Sequence, residues 1–233
     1  MIPRITYWAR STTQRLTNQA GLNPDAVFVW IPKSAGTSVY NSLQKLGCPK
    51  LKTVNRIRRV FPQRGLVTFG HLDYNRLVTT GIVSKEFDRK AKKFTIVRDP
   101  YDRAISLYFY VMRRSKLFDN WHSLPSFEDF LELIESGFYD KIGLFNVQGL
   151  SQANPQVAWT KNISFDTIGR IENLPDAMAQ IGDLLGRDIP HMEWLNKGEV
   201  ADTSGLLTKT TISMIDRIYA EDFETFGYER RRG

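Results

Sequence analysis

The stretch Phe28-Val29-Trp30-Ile31-Pro32-Lys33-Ser34-Ala35-Gly36-Thr37-Ser38 constrains the fold of this chain more than any other. Ala26 to Ile31 is a short apolar run, rich in β-formers, that stops at a proline, the pattern of a buried strand. A tight loop of small residues with one lysine follows, and Thr37 to Leu46 reads as a helix. Further strands are expected at Leu66 to Phe69 and Lys93 to Val97. After the latter, Asp99 and Pro100 read as the N-cap and first-turn proline of a helix running to about Arg113. Phe127 to Ile134 is expected to be helical and Phe165 to Ile171 extended, and Asn173 is expected to cap a helix carrying Met178, Ile181, Leu184 and Leu185. Ile212, Ile215, Ile218, Tyr219, Phe223 and Phe226 fall on one face of a closing helix, expected to pack against the sheet.

Strands alternating with helices imply an α/β fold: a P-loop-like central parallel sheet flanked by helices, with ligands beyond the carboxyl ends of the strands. No repeat or linker interrupts residues 26–233, which are read as one domain, with residues 1–25 as an N-terminal helical extension. At 233 residues and 42% hydrophobic content the chain can bury one substantial core.

The loop after the first strand is an anion cradle by construction. Backbone N–H groups at a helix N-terminus lack partners within the helix and carry partial positive charge, so a phosphate or sulfate is stabilised there. Lys33 adds a full charge, Thr37 and Ser38 add hydroxyls, and the small Ser34, Ala35 and Gly36 let a ligand approach the backbone. The competing reading is an ordinary strand-loop-helix connection with a surface lysine. A nucleoside-triphosphate loop would carry Gly-Lys followed by Ser or Thr at the helix start, whereas Lys33 precedes its glycine.

A second element, Phe94 to Tyr108, delivers Arg98 from a strand to the mouth of a helix. A guanidinium can give a phosphate two hydrogen bonds, and Ser106, four residues after Asp102, can face the same side as the helix start. The alternative is a structural arginine paired with Asp99 or Asp102. A third element is Phe69-Gly70-His71, a strand ending in Gly-His. Imidazole can act as a base near neutral pH, although a histidine after a strand is also a common hydrogen-bonded structural residue.

Pro32-Lys33-Ser34-Ala35-Gly36-Thr37-Ser38 resembles the 5′-phosphosulfate loop of sulfotransferases that use 3′-phosphoadenosine 5′-phosphosulfate (PAPS). The carbohydrate branch of that family commonly reads Pro-Lys-Thr-Ala-Gly-Thr-Ser, and Ser34 keeps the hydroxyl. The Arg98 run is similar to the family's 3′-phosphate element, with Pro100 two residues on and Ser106 eight residues on. Gly70-His71 is similar to the Gly-His that supplies the base in glycan 2-O-sulfotransferases. A looser likeness continues through Phe165 to Leu174 and Tyr219 to Tyr228.

The resemblance implies in-line sulfuryl transfer from PAPS to an acceptor hydroxyl of a carbohydrate or glycolipid. It implies His71 as base and Lys33 as the charge facing the leaving phosphate. Lys33, Ser34, Ala35, Gly36, Thr37 and Ser38 would surround the 5′-phosphate and Arg98 and Ser106 the 3′-phosphate. Ile171 would lie near the adenine, and Asn196-Lys197-Gly198 is either a loop over the 3′-phosphate, with Lys197 and Gly198 as its contacts, or, the preferred reading, a solvated lysine turn. Asp73 and Glu172 are the next carboxylates for the base role, and Tyr101, Tyr108, Tyr110 and Trp121 are aromatic candidates for an acceptor cleft or for the core.

Charge, cysteine and histidine usage bound the rivals. The net charge of +7 favours polyanionic partners. A basic nucleic-acid-binding protein and a P-loop nucleotide kinase are the alternatives, but no nucleic-acid reader motif is present. Cys48 is the lone cysteine, so no intramolecular disulfide can form, and His71, His122 and His191 lack metal-ligand spacing. No metal, no nucleic acid and no membrane span are expected. Met1 to Asn18 lacks the apolar run of a signal peptide, which leads to the expectation of a cytoplasmic protein. Asn162-Ile163-Ser164 is discounted as a glycosylation site on the same ground. Arg230-Arg231-Arg232 is expected to be a solvated tail, and His122 and His191 surface or packing residues.

Overall fold

Strand β1, Ala26–Phe28, is apolar in every residue and wholly buried, which requires covered faces on both sides. The computed structural model describes residues 23–113, 125–138, 150–189, 203 and 205–232. Residues 1–22 of the expected N-terminal extension lie outside the described residues, as do Trp121, His122, His191, Asn196, Lys197 and Gly198.

The elements alternate as the sequence pattern demands. After β1 come α1 (Gly36–Lys45), α2 (Val54–Val60), β2 (Leu66–Thr68), α3 (Tyr74–Thr79), α4 (Lys85–Lys90), β3 (Lys92–Val97) and α5 (Pro100–Met112). They are followed by α6 (Phe127–Glu135), the single turn α7 (Val157–Thr160), β4 (Thr167–Arg170), a short 3-10 turn (Ile171–Asn173), α8 (Leu174–Leu185), α9 (Lys209–Ile218) and α10 (Ala220–Phe226). The sheet order is β2-β1-β3-β4. β1 pairs in parallel with β2 (Ala26 opposite Leu66) and with β3 (Ala26 opposite Lys92). The α/β class expected from the sequence is therefore the one observed. Because the chain crosses from β2 over β1 to reach β3, the strand order reverses between β1 and β3, the kind of switch point that opens a ligand crevice at the carboxyl ends.

The described residues form two compact units. The first, Met1–Ile96 with Thr160–Leu195, contains the sheet. Its core joins Phe28, Val39, Leu43 and Phe94 to Leu174, Ala177, Ile181 and Leu185 of α8. β1 is paired beyond its last strand residue: Val29 N–H donates to Phe94 O at 3.0 Å, and Thr95 Oγ1 donates to Val29 O at 2.7 Å. That keeps the chain extended toward Ile31, as the apolar run predicts. Asn173 stands at the N-cap of α8 but makes no capping hydrogen bond, which corrects the sequence expectation. Its amide donates to Asp176 Oδ2 at 2.6 Å, so the acidic side chain in the first turn satisfies it.

The second unit is Val97–Trp159 with Asn196–Gly233. Its core is helical: Tyr101, Ala104, Leu107, Phe127, Phe130 and Leu131 meet Ile212, Met214, Ile215, Tyr219 and Phe223. Two expectations change here. The closing helix is two helices, broken at Tyr219 (φ −113°, ψ 26°). That ring is fully buried, and its hydroxyl donates to Ala153 O at 3.2 Å. The apolar face of the pair is taken up by α5 and α6 rather than by the sheet; an apolar stripe specifies burial, not the partner that provides it.

Candidate active site

The loop between β1 and α1 adopts a conformation that its residue types do not favour. Lys33 (φ 67°) and Ala35 (φ 54°) both occupy the left-handed region, where a Cβ costs about 1–3 kcal/mol. Alternation of left-handed with other conformations turns successive N–H groups toward one side and makes a concave anion nest. Most neighbouring helices close their N-termini with a side chain: Thr53, Asp73, Ser84 and Asp99 cap α2 to α5. Ten-residue α1 has no side-chain cap and no acid in its first turn. These features fit a bound phosphate or sulfate, which would itself supply the acceptor atoms. Ser34 and Ser38 are buried, Lys33 and Ala35 partly buried, and Thr37 exposed.

Gly36 has a reason that the sequence did not reveal. A Cβ built there would fall 1.8 Å from Trp30 Nε1 and 2.1 Å from Trp30 Cδ1. The indole occupies the missing side chain's space, so Gly36 sets the packing of the loop on its own strand.

Trp30 also seats His71. Gly70, at φ 62°, turns the chain sharply after β2, and the His71 ring lands edge-on to the indole at 5.1 Å between centroids. Nδ1 of His71 lies 3.0 Å from the carbonyl oxygen of Trp30. A carbonyl can only accept, so Nδ1 carries the proton and Nε2 is the basic nitrogen of the neutral ring. Burial pushes the His71 pKa below the ordinary histidine value, opposed by the Trp30 hydrogen bond and reinforced by the charges of Lys52, Lys50 and Lys33. Neutral imidazole with Nε2 as acceptor is the form a general base requires.

The first unit thus brings together Lys33, the loop 34–38 and His71. It adds Lys50, which the sequence reading missed. Its ammonium lies 4.7 Å from the Trp30 ring centroid and 4.1 Å from that of Tyr40. No local signal marks it, since the rings it covers come from other elements. Ile171 stands after β4, partly buried against the first core. Of the reserve carboxylates, Asp73 is committed to capping α3, accepting from Arg76 N at 3.0 Å, and Glu172 is exposed.

Arg98 and Ser106 belong to the second unit. Arg98 follows β3 directly and is gripped through its main chain: its N–H donates to Gln156 Oε1 at 2.9 Å, and its carbonyl accepts from Gln156 Nε2 at 2.8 Å. Asp99 Oδ1 accepts from Tyr101 N at 2.9 Å and Asp102 N at 3.1 Å, the cap expected from Asp99-Pro100. Asp102 pairs with Arg231 at 3.1 Å, and Asp99 lies 3.7 Å from the same guanidinium. The C-terminal arginines are therefore not simply a solvated tail. Arg231 N–H also donates to the Tyr101 hydroxyl at 3.0 Å, and its guanidinium sits 4.9 Å from that ring. Ser106 is partly buried on α5.

The described aromatic candidates, Tyr101, Tyr108 and Tyr110, pack with the core of the second unit. Tyr101 is buried, with its hydroxyl on Asp216. Tyr108 packs on Phe127 and Phe130, and its hydroxyl donates to Pro125 O at 3.1 Å. Tyr110 is partly buried against the same cluster. Among the described residues no group of three or more His, Cys, Asp or Glu could hold a metal ion. No helix there is long and apolar enough to cross a membrane.

A family model described as "Sulfotransferase family" matches residues 23–229. No curated protein matches the sequence. Among solved structures, mouse sulfotransferase SULT7A1 complexed with PAP is similar at 20% identity and a TM-score of 0.47. The match covers 83% of this chain and 65% of that one, so the chain spans just under two thirds of that protein.

Proposed function

The chain belongs to the sulfotransferase family, and from that premise we propose that it transfers a sulfuryl group from PAPS to an acceptor hydroxyl, of a carbohydrate or glycolipid in the first instance. The observation that carries the reading is the pairing of an uncapped, left-handed loop at α1 with a His71 ring whose Nδ1 is committed to Trp30 O. When bound, PAPS supplies the sulfuryl group and a bisphosphate leaving group.

The residues then divide the work. The amides of residues 34–37, with the Thr37 and Ser38 hydroxyls, hold the 5′-phosphate, and Lys33 offsets the charge that grows on it. Arg98 and Ser106 hold the 3′-phosphate, and Ile171 lies toward the adenine. His71 Nε2 takes the acceptor proton as the hydroxyl oxygen bonds to sulfur. No step requires a metal, because cations and amides of the chain meet the developing charge.

The test is transfer of labelled sulfate from PAPS to a panel of glycans, glycolipids and phenols, alongside thermal stabilisation by nucleotides. Adenosine 3′,5′-bisphosphate should raise the melting temperature more than ATP or adenosine 5′-monophosphate does, since a ligand that binds only the native state stabilises it. Equal stabilisation by all three would remove the 3′-phosphate assignment, and ATP with magnesium outperforming the bisphosphate would favour a kinase. Labelling of phenols alone would replace the glycan acceptor.

A further inference from the structure

We propose that Gln156, locked in place by Asp222, is the positioning residue that aims Arg98 at the 3′-phosphate; the inference rests on the cofactor reading above. Gln156 is 0% exposed, and a buried amide is costly unless its donors and acceptor are satisfied. Its side chain spends them on the main chain of one residue. Oε1 accepts from Arg98 N–H at 2.9 Å and Nε2 donates to Arg98 O at 2.8 Å. That is the pattern by which a neighbouring strand would pair with this residue, supplied by a side chain just past the end of β3.

The amide cannot be reversed without setting oxygen against oxygen, so its orientation is determined by its partners. Asp222 fixes the other side. It is also 0% exposed. Its Oδ2 accepts from Gln156 N at 2.9 Å and, more weakly, from Gln156 Nε2 at 3.4 Å, while Oδ1 accepts from Val157 N at 2.9 Å. Arg103, buried on α5, donates to the carbonyls of Gln152 and Asn154, both at 3.0 Å, and holds the segment entering Gln156.

The consequence for Arg98 is geometric. Its residue lies where a strand turns into a helix, so its main chain is covered by neither ladder. Holding both N–H and C=O fixes the direction in which the side chain leaves. A forked guanidinium on a phosphate depends strongly on that direction, and a misplacement of about 1 Å can cost about a hundredfold.

The experiment measures two dissociation constants by calorimetry, for adenosine 3′,5′-bisphosphate and for adenosine 5′-monophosphate, which lacks the 3′-phosphate. Their ratio isolates the phosphate that Arg98 would bind, and general destabilisation leaves that ratio unmoved. Gln156→Met keeps the length of the side chain and removes both hydrogen bonds. It should cut the bisphosphate preference by about tenfold to a hundredfold, with the monophosphate constant nearly unchanged. Gln156→Ala also removes both hydrogen bonds and should cut it at least as far. Should Gln156→Met not fold, the Ala variant decides by the same ratio. A folded variant that keeps the parent's preference overturns the positioning role. A parent chain that shows no preference overturns the cofactor reading as well, and the two failures are thereby distinguished.

Discussion

Gly36→Ala is the substitution whose outcome the geometry constrains most. Its new methyl group would lie 1.8 Å from Trp30 Nε1 and 2.1 Å from Cδ1, so the indole must leave its seat. The indole has little room to move. It is 7% exposed, stacked on Tyr40 at 5.5 Å and Phe28 at 6.0 Å between ring centroids, covered by Lys50 and flanked by His71. Overpacking of this kind costs about 1–3 kcal/mol, which for a chain of this size lowers the melting temperature by roughly 2–12 °C. The assay is a double-mutant cycle with Trp30→Ala, read by thermal and denaturant unfolding. With the indole removed the clash is gone, and Gly36→Ala should then cost less than about 0.5 kcal/mol, because an alanine in the first turn of a helix is otherwise favourable. An equal loss in both backgrounds would refute the reasoning and return Gly36 to a role in ligand approach alone.

Substitutions at the site, the pH profile and the buried Cys48 give further expected outcomes. Lys33→Ala should lower the rate at saturating PAPS by a factor equivalent to about 3 kcal/mol, and Arg98→Ala should instead weaken bisphosphate binding. Steady-state kinetics beside calorimetry separates the two, and an unchanged saturated rate in Lys33→Ala removes its leaving-group role. His71→Ala should lose about a hundredfold to ten-thousandfold in rate while still binding the bisphosphate. Because burial and the three lysines depress the His71 pKa, the parent's rate should rise with pH through a value below the usual histidine range and be level at neutrality. That limb, and the stability lost as pH falls below the unfolded-histidine value, should be reduced in the variant. A limb that persists in His71→Ala would assign it to another group. Cys48 is buried with its thiol pKa pushed far up by burial, so a thiol reagent should label it only on unfolding; rapid labelling of the native protein would contradict that burial.

The strand-loop-helix at Ala26 to Lys45 was readable because all its signals lie within about twenty residues: an apolar run, a stopping proline, small loop residues and a helical pattern. The Asp99-Pro100 start of α5 was readable for the same reason, since a cap and its acceptors are two or three residues apart. Asn173 looked like an equally good cap, yet Asp176 in the first turn takes its amide. The residues missed were those whose partners are distant in sequence. Gln156 reaches Arg98 across 58 residues and Asp222 across 66, and Arg231 reaches Asp102 across 129. Nothing in the residues beside them records such pairings.

Local structure, then, was legible in the sequence: which segments are strands, which small-residue loop leads from a strand into a helix, and which histidine follows a strand end. Those features depend on hydrogen-bond orphans and side-chain periodicity, which act over a few residues. Tertiary structure alone decided that Gly36 makes room for Trp30, that Trp30 O selects the His71 tautomer, and that α9 and α10 bury their apolar face on helices. An apolar face or an imidazole specifies what kind of neighbour it needs, and only the close-packed fold specifies which neighbour it gets.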